Sequence, residues 1–170
     1  MVAANPKTRW WQRLLIVVLL PLIFVYVLLA LALLLLSSIC LHVLIWVFWS
    51  PRGRDILLVY SDSPIWHDYV EQQILPYLGG RAVVLNWSQR KRWRFSLARF
   101  AFFHFGGYRN FNPLAVVFRP FRLSRTFRFW KAFHDYKHGH PEKLHEIEKQ
   151  FFDFAGITGR EDQIRQAGKT

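Results

Sequence analysis

Polar side chains capable of chemistry fall just after three short apolar runs. Ser61, Asp62 and Ser63 follow Asp55–Tyr60, Asn86 and Ser88 follow Ala82–Leu85, and Arg119 and Arg122 follow Leu114–Phe118. If the runs are parallel strands, these groups meet at the strand carboxyl ends, where open α/β sheets bind their ligands. A phosphate on a helix starting at Ser63-Pro64, opposed by Arg119 or Arg122, is the chemistry such a set supports. Asp62, Ser63, Asn86, Arg119 and Arg122 are thus the candidate catalytic residues of a transferase-like, membrane-associated enzyme. Its substrate would be phosphorylated or nucleotide-linked, such as a lipid-linked sugar. The competing reading makes Ser61–Pro64 an ordinary capped loop.

Other chemistries find less support. No G-x-G-x-x-G or P-loop is present, so no dinucleotide, nucleoside triphosphate or other cofactor is expected. His134 and His138 share the i,i+4 spacing of H-E-x-x-H without its glutamate, and His140 and His145 add no recognisable ligand pattern, so no metal is expected. Asn86-Trp87-Ser88 matches a glycosylation sequon but directly follows a predicted strand, and reads as a chance match. No nucleophile, histidine and acid stand at signature spacing.

Charge is distributed unevenly. Between Glu71 and Asp135 there is no Asp or Glu, while twelve cations occur: Arg81, Arg90, Lys91, Arg92, Arg94, Arg99, Arg109, Arg119, Arg122, Arg125, Arg128 and Lys131. The chain carries a net charge of +12, so this stretch alone equals the excess. Arg90, Lys91, Arg92 and Arg94 would open one helix, where cations oppose the helix dipole unless an anion sits there. Arg125, Arg128 and Lys131 would share one side of a later helix, with Asp135 in reach of Lys131. Aromatics interleaved with these cations suit a lipid interface, and anionic lipid headgroups are the expected contact for all seven residues. A membrane protein is a possible second partner. No recognisable nucleic-acid module accompanies the charge, and nucleic acid is not expected.

Helix signals cover Ser63 to Gly79-Gly80, Ser88 to Gly106-Gly107, Ser124 to Gly139, and His140-Pro141 to Gly156. With the three apolar runs the order is β-α-β-α-β-α-α. Continuous apolar strands alternating with helices predict a small three-stranded parallel, half-Rossmann-like sheet with right-handed crossovers. The α/β domain is expected over residues 55–156, followed by a polar tail over 157–170.

Ahead of it, a basic flank (residues 1–13) leads into an apolar run from Leu14 to Trp49 that holds no Asp, Glu, Lys or Arg. A helix needs about 20 apolar residues to cross a bilayer, and a run this long is expected to be a transmembrane segment. It exceeds a signal-peptide core of about 7–15 residues, so an uncleaved anchor is expected. One long span is favoured, because Ser37-Ser38 is the only polar break and no Gly, Asn or Pro stands at mid-run to make a turn. A hairpin remains the alternative. Trp10, Trp11, Trp46 and Trp49 read as interfacial anchors. The lone Cys40 permits no internal disulfide.

The leading expectation is therefore an integral membrane protein. Its non-catalytic α/β domain would dock a basic, aromatic surface on anionic lipid from the cytoplasmic side and engage a membrane partner. The enzyme is the alternative.

Overall fold

The computed structural model describes residues 6–106, 112–140 and 142–157. Arg109, Pro141 and the polar tail beyond Ile157 lie outside them, as do the side chains of Trp11 and Lys137. The chain forms two compact units, residues 1–40 and 41–170.

Helix α1 runs unbroken from Pro6 to Phe48, 43 residues, about 65 Å at 1.5 Å per residue. Ser37 does not interrupt it, because its hydroxyl donates to the Leu34 carbonyl at 2.9 Å and so is satisfied within the helix. From Leu15 to Leu36 its large apolar side chains are exposed. By length and composition this helix can cross a membrane.

In the second unit the last turns of α1 join an α/β sandwich. A mixed four-stranded sheet has the order β2-β1-β3-β4, with β1 Ile56–Tyr60, β2 Ala82–Asn86, β3 Leu114–Val117 and β4 Arg125–Arg128. Strands β1 and β2 are parallel, while β3 is antiparallel to both β1 and β4. The expected three-stranded parallel sheet is therefore corrected in two respects: β3 runs the other way, and Arg125–Arg128 is a strand.

Every residue of β1 and β3 is buried, because helices cover both sheet faces. On one face Ile56, Leu58, Tyr60, Ala115, Val117 and Phe127 pack against α5 (Trp130–Lys137), α6 (Glu142–Ala155) and the helical segment 64–78. On the other, Leu57, Val59, Leu114, Val116 and Phe118 pack against α4 (Leu97–Phe105) and against Ile45 and Trp49 near the end of α1. Alternate residues of one strand thus feed two cores, as the period of two requires.

The helical segment after β1 comprises α2 (Pro64–Tyr69), a π turn over Val70–Ile74 and α3 (Leu75–Leu78). Pro76 accounts for the π turn. It lacks an N–H and its ring would strike the carbonyl four residues back. Widening the preceding turn, with Leu75 N–H bonded to the Val70 carbonyl, carries the helix past it. Gly79 and Gly80 then end the segment with φ of 55° and 82°, a region open to glycine at little cost.

The expected helix from Ser88 to Phe105 is shorter and starts later. Trp87–Arg92 is 3₁₀, with Asn86 accepting the Ser88 N–H at 2.9 Å, and α4 starts after Ser96, whose hydroxyl accepts the Arg99 N–H. Starting there keeps Arg90, Lys91, Arg92 and Arg94 off the positive end of the dipole.

Candidate functional site

Because β1 and β2 are parallel, their carboxyl ends bring Asp62 and Asn86 together. The Asn86 amide donates to Asp62 Oδ1, the Asp62 N–H donates to Ser88 Oγ at 3.0 Å, and Trp93 Nε1 donates to the Asn86 carbonyl at 2.9 Å. These polar groups satisfy one another and brace the loop. Ser63 takes the expected N-cap position with Pro64 next to it. Its side chain makes no capping bond, and its carbonyl accepts from Trp66 and His67.

Arg119 and Arg122 are elsewhere. Antiparallel β3 carries its carboxyl end to the opposite edge, where Val117 pairs with Ile56 and the Phe118 N–H meets the Asp55 carbonyl. The length of β1, about 17 Å for five residues, separates Arg119 from Asp62. The five candidate catalytic residues do not share one cleft, and the phosphate clamp between Ser63 and Arg119 or Arg122 does not form. Arg119 instead lies over the Phe154 ring at 5.6 Å, near the carboxyl end of α6. At the same edge Arg81 grips Asp55 through two nitrogens and donates to the Ala155 carbonyl at 2.9 Å. Cations at this helix terminus are favoured by the dipole.

Beside the parallel strand ends, the Tyr60 hydroxyl donates to Glu71 on the π turn. Burial, then the hydrogen bond and charge of Glu71, push the Tyr60 pKa above its ordinary value of 10.0. The folded chain therefore holds this proton more tightly than the unfolded chain. The stabilisation is full below pH 10 and is lost as pH rises beyond it. Urea titrations between about pH 8 and about pH 11 are expected to show a decline that Tyr60→Phe flattens; an identical decline would assign it to another group.

The basic residues are divided between the two sides of the sheet. Arg125 and Arg128 were expected on one helix face with Lys131, yet the strand alternation sends them apart. Arg125 lies over Phe127 and Phe154 on the α6 side, while Arg128 reaches toward the Gly106 carbonyl at 3.4 Å on the α4 side. Lys131 is exposed on α5 and adds to the charges near Asp135. Asp135 is bonded principally to Lys143, at 2.7 Å, and its pKa is lowered for that reason. Arg90, Lys91, Arg92 and Arg94 are exposed on the α4 layer, where Trp87 and Trp93 pack on Phe102. Arg90 lies 5.0 Å over Trp87.

Around residues 42–48 of α1 the same layer presents apolar side chains outward. Phe121 is 93% exposed, Leu123 86% and Phe95 83%, with Phe100 and Phe103 half-exposed beside them. The loop bearing Phe121 and Leu123 is fixed to α1: Phe121 stands 5.6 Å from Trp46, and the Ser124 N–H reaches His42 Nε2 at 3.4 Å. Phe105 of α4 packs edge-on against His42 at 4.8 Å. Phe121 has φ of 58°, a genuine outlier for a bulky residue, yet its ring points into solvent. Arg99 lies over Phe95 and Phe103 at 5.3 and 5.8 Å.

The tryptophans expected as interfacial anchors behave differently from one another. Trp10 is exposed. Trp49 is 8% exposed and packs edge-on against Phe118, so it is a core residue of the second unit. Trp46 is half-buried between His42 and Phe121. The collar of Phe95, Phe100, Phe103, Phe121 and Leu123 escaped the sequence reading because its members come from two distant segments. The available signal was Phe100 and Phe103 at i,i+3 beside Arg99. Comparison with protein-family models, curated proteins and solved structures finds no match.

Proposed function

We propose that the chain is an integral membrane protein whose α/β domain rests its apolar collar in the headgroup layer of an anionic leaflet, on the cytoplasmic side. The observation that carries this reading is the outward display of Phe121, Leu123 and Phe95 around the last turns of α1. Soluble proteins seldom gather large apolar side chains on one exposed patch. A ring held outward by an unfavourable backbone conformation argues for use of that ring.

Charge supports the same orientation. Arg99, Arg94, Arg92, Lys91 and Arg90 share the collar's layer, and cations near an anionic leaflet gain about 1 kcal/mol each. Basic residues flank the apolar run of α1 at both ends, Lys7, Arg9 and Arg13 before it and Arg52 and Arg54 after it, so the cytoplasmic placement rests on the match between the basic domain and an anionic leaflet. The domain acts in this reading as a non-catalytic binding module.

The test places single spin labels at Leu123→Cys and, as a control, at Tyr136→Cys on α5, both in a Cys40→Ser background. The full chain is reconstituted in liposomes. Leu123 is expected to be shielded from a water-soluble paramagnetic reagent, more so with anionic than with zwitterionic lipid, while Tyr136 stays accessible. Equal accessibility at the two positions would overturn the proposal.

A further inference from the structure

A groove of about 540 Å³ opens beside the collar, lined by Leu44, Phe48, Trp49, Leu97 and Phe100 together with Arg52 and Arg54 of the turn that follows α1. Its volume falls in the range of about 300–1,000 Å³ common for small-molecule sites. The lining is apolar except for the two guanidiniums. Among the described residues neither arginine meets a carboxylate, since the adjacent Asp55 is engaged by Arg81.

The arginines are set by a hydrogen-bonded turn. The N–H groups of Arg52 and Arg54 both bond the Trp49 carbonyl, at 2.9 and 3.0 Å, and Gly53 N–H bonds the Ser50 carbonyl. Gly53 has φ of 66°, which lets the chain reverse between the two arginines. The Arg52 guanidinium also caps α1 by donating to the Phe48 carbonyl. The Arg52 guanidinium is thus held at the end of α1, and the same turn places Arg54 in the wall of the groove beside exposed apolar side chains of α1.

We infer that this groove binds one anionic glycerophospholipid, with an acyl chain along Leu44, Phe48, Leu97 and Phe100 and the phosphate between Arg52 and Arg54. The inference rests on the membrane reading above and names a specific lipid class for it. Charge complementarity identifies the occupant: an apolar tail and an anionic head match an apolar wall and two unopposed guanidiniums. A free fatty alcohol would leave both cations unanswered, and a zwitterionic phospholipid would bring its own quaternary ammonium close to them, offsetting the attraction of its phosphate.

The test is native mass spectrometry of the full chain in mild detergent, titrated with phosphatidylglycerol or with phosphatidylcholine of the same acyl chains. One phosphatidylglycerol is expected to remain bound, and Arg52→Gln with Arg54→Gln is expected to weaken it roughly thirty-fold, about the effect of two cations at an anionic surface. Arg54→Gln alone leaves the Arg52 cap intact and is expected to weaken binding about five-fold. Leu97→Trp, which fills the groove and spares both charges, is expected to reduce retention of either lipid. Equal retention of the two lipids, or retention unchanged in Arg54→Gln, would overturn the inference. Spin-label accessibility at Leu123 separates the two proposals. Loss of lipid retention with Leu123 still shielded removes only the groove site, and an accessible Leu123 with retention intact removes only the collar.

Discussion

Replacing Phe118 by alanine is expected to destabilise the second unit by about 3–5 kcal/mol, the usual cost of removing a buried phenylalanine. Phe118 is 1% exposed and meets three aromatic neighbours edge-on: Phe105 at 5.2 Å, and His42 and Trp49 at 5.9 Å each. It is the residue on which the end of α1, helix α4 and the sheet all converge. Its loss forfeits packing to all of them, against a total domain stability of only about 5–15 kcal/mol. Denaturant unfolding of the full chain in detergent measures the cost, and cleavage by trypsin after Arg52 and Arg54 is expected to accelerate with it. Phe103→Ala provides the comparison: half-exposed, it is expected to change stability by no more than about 0.5 kcal/mol. Similar losses for the two variants would remove Phe118 from this role.

The second large effect is expected at the tip of the collar. Phe121→Asp combined with Leu123→Asp places two carboxylates where the proposal places anionic lipid. At about 1 kcal/mol per charge near such a surface, plus the lost apolar burial, access of a water-soluble thiol reagent to Phe95→Cys in liposomes is expected to rise by at least about thirty-fold. Stability in detergent is expected to hold or to increase. Both side chains are exposed, and aspartate tolerates the left-handed conformation of residue 121 better than phenylalanine does. A rise in access without a loss of stability separates a binding surface from a packing defect. A fall in both would point to packing.

Much of the domain was legible in the sequence because burial leaves a simple signature. The apolar runs expected at 55–60, 82–85 and 114–118 became strands at 56–60, 82–86 and 114–117, and the segments bounded by Ser63 and Gly79 and by Pro141 and Gly156 became helical over 64–78 and 142–155. Strand direction was not legible. Both faces of β1 and β3 are covered, so neither strand alternates, and a buried antiparallel strand then reads like a parallel one. Strand β4 was hidden for the opposite reason. Only Phe127 of its four residues is buried, and Ser124 ahead of it resembles a helix cap. The candidate enzyme site failed to assemble as a consequence, since Arg119 reaches the carboxyl end of β1 only if β3 runs parallel to it. Trp49 was misplaced because an apolar run gives no internal mark of where lipid ends and protein core begins. Both present the same apolar surroundings to a helix.

The position of β1 in the sheet has a consequence for the order in which the chain is made. It hydrogen-bonds β2 on one side and β3 on the other, and all five of its residues end up buried. Its antiparallel partner starts at Leu114, 54 positions after Tyr60, which at ribosomal speeds of about 5–20 residues per second is a delay of roughly 3–11 s. For that interval the nascent chain holds Ile56–Tyr60 as an apolar ribbon with one edge vacant, directly after a helix that has already left the exit tunnel. A strand that ends wholly buried is the first to be made, and a chaperone or early pairing with β2 has to shield it from neighbouring nascent chains.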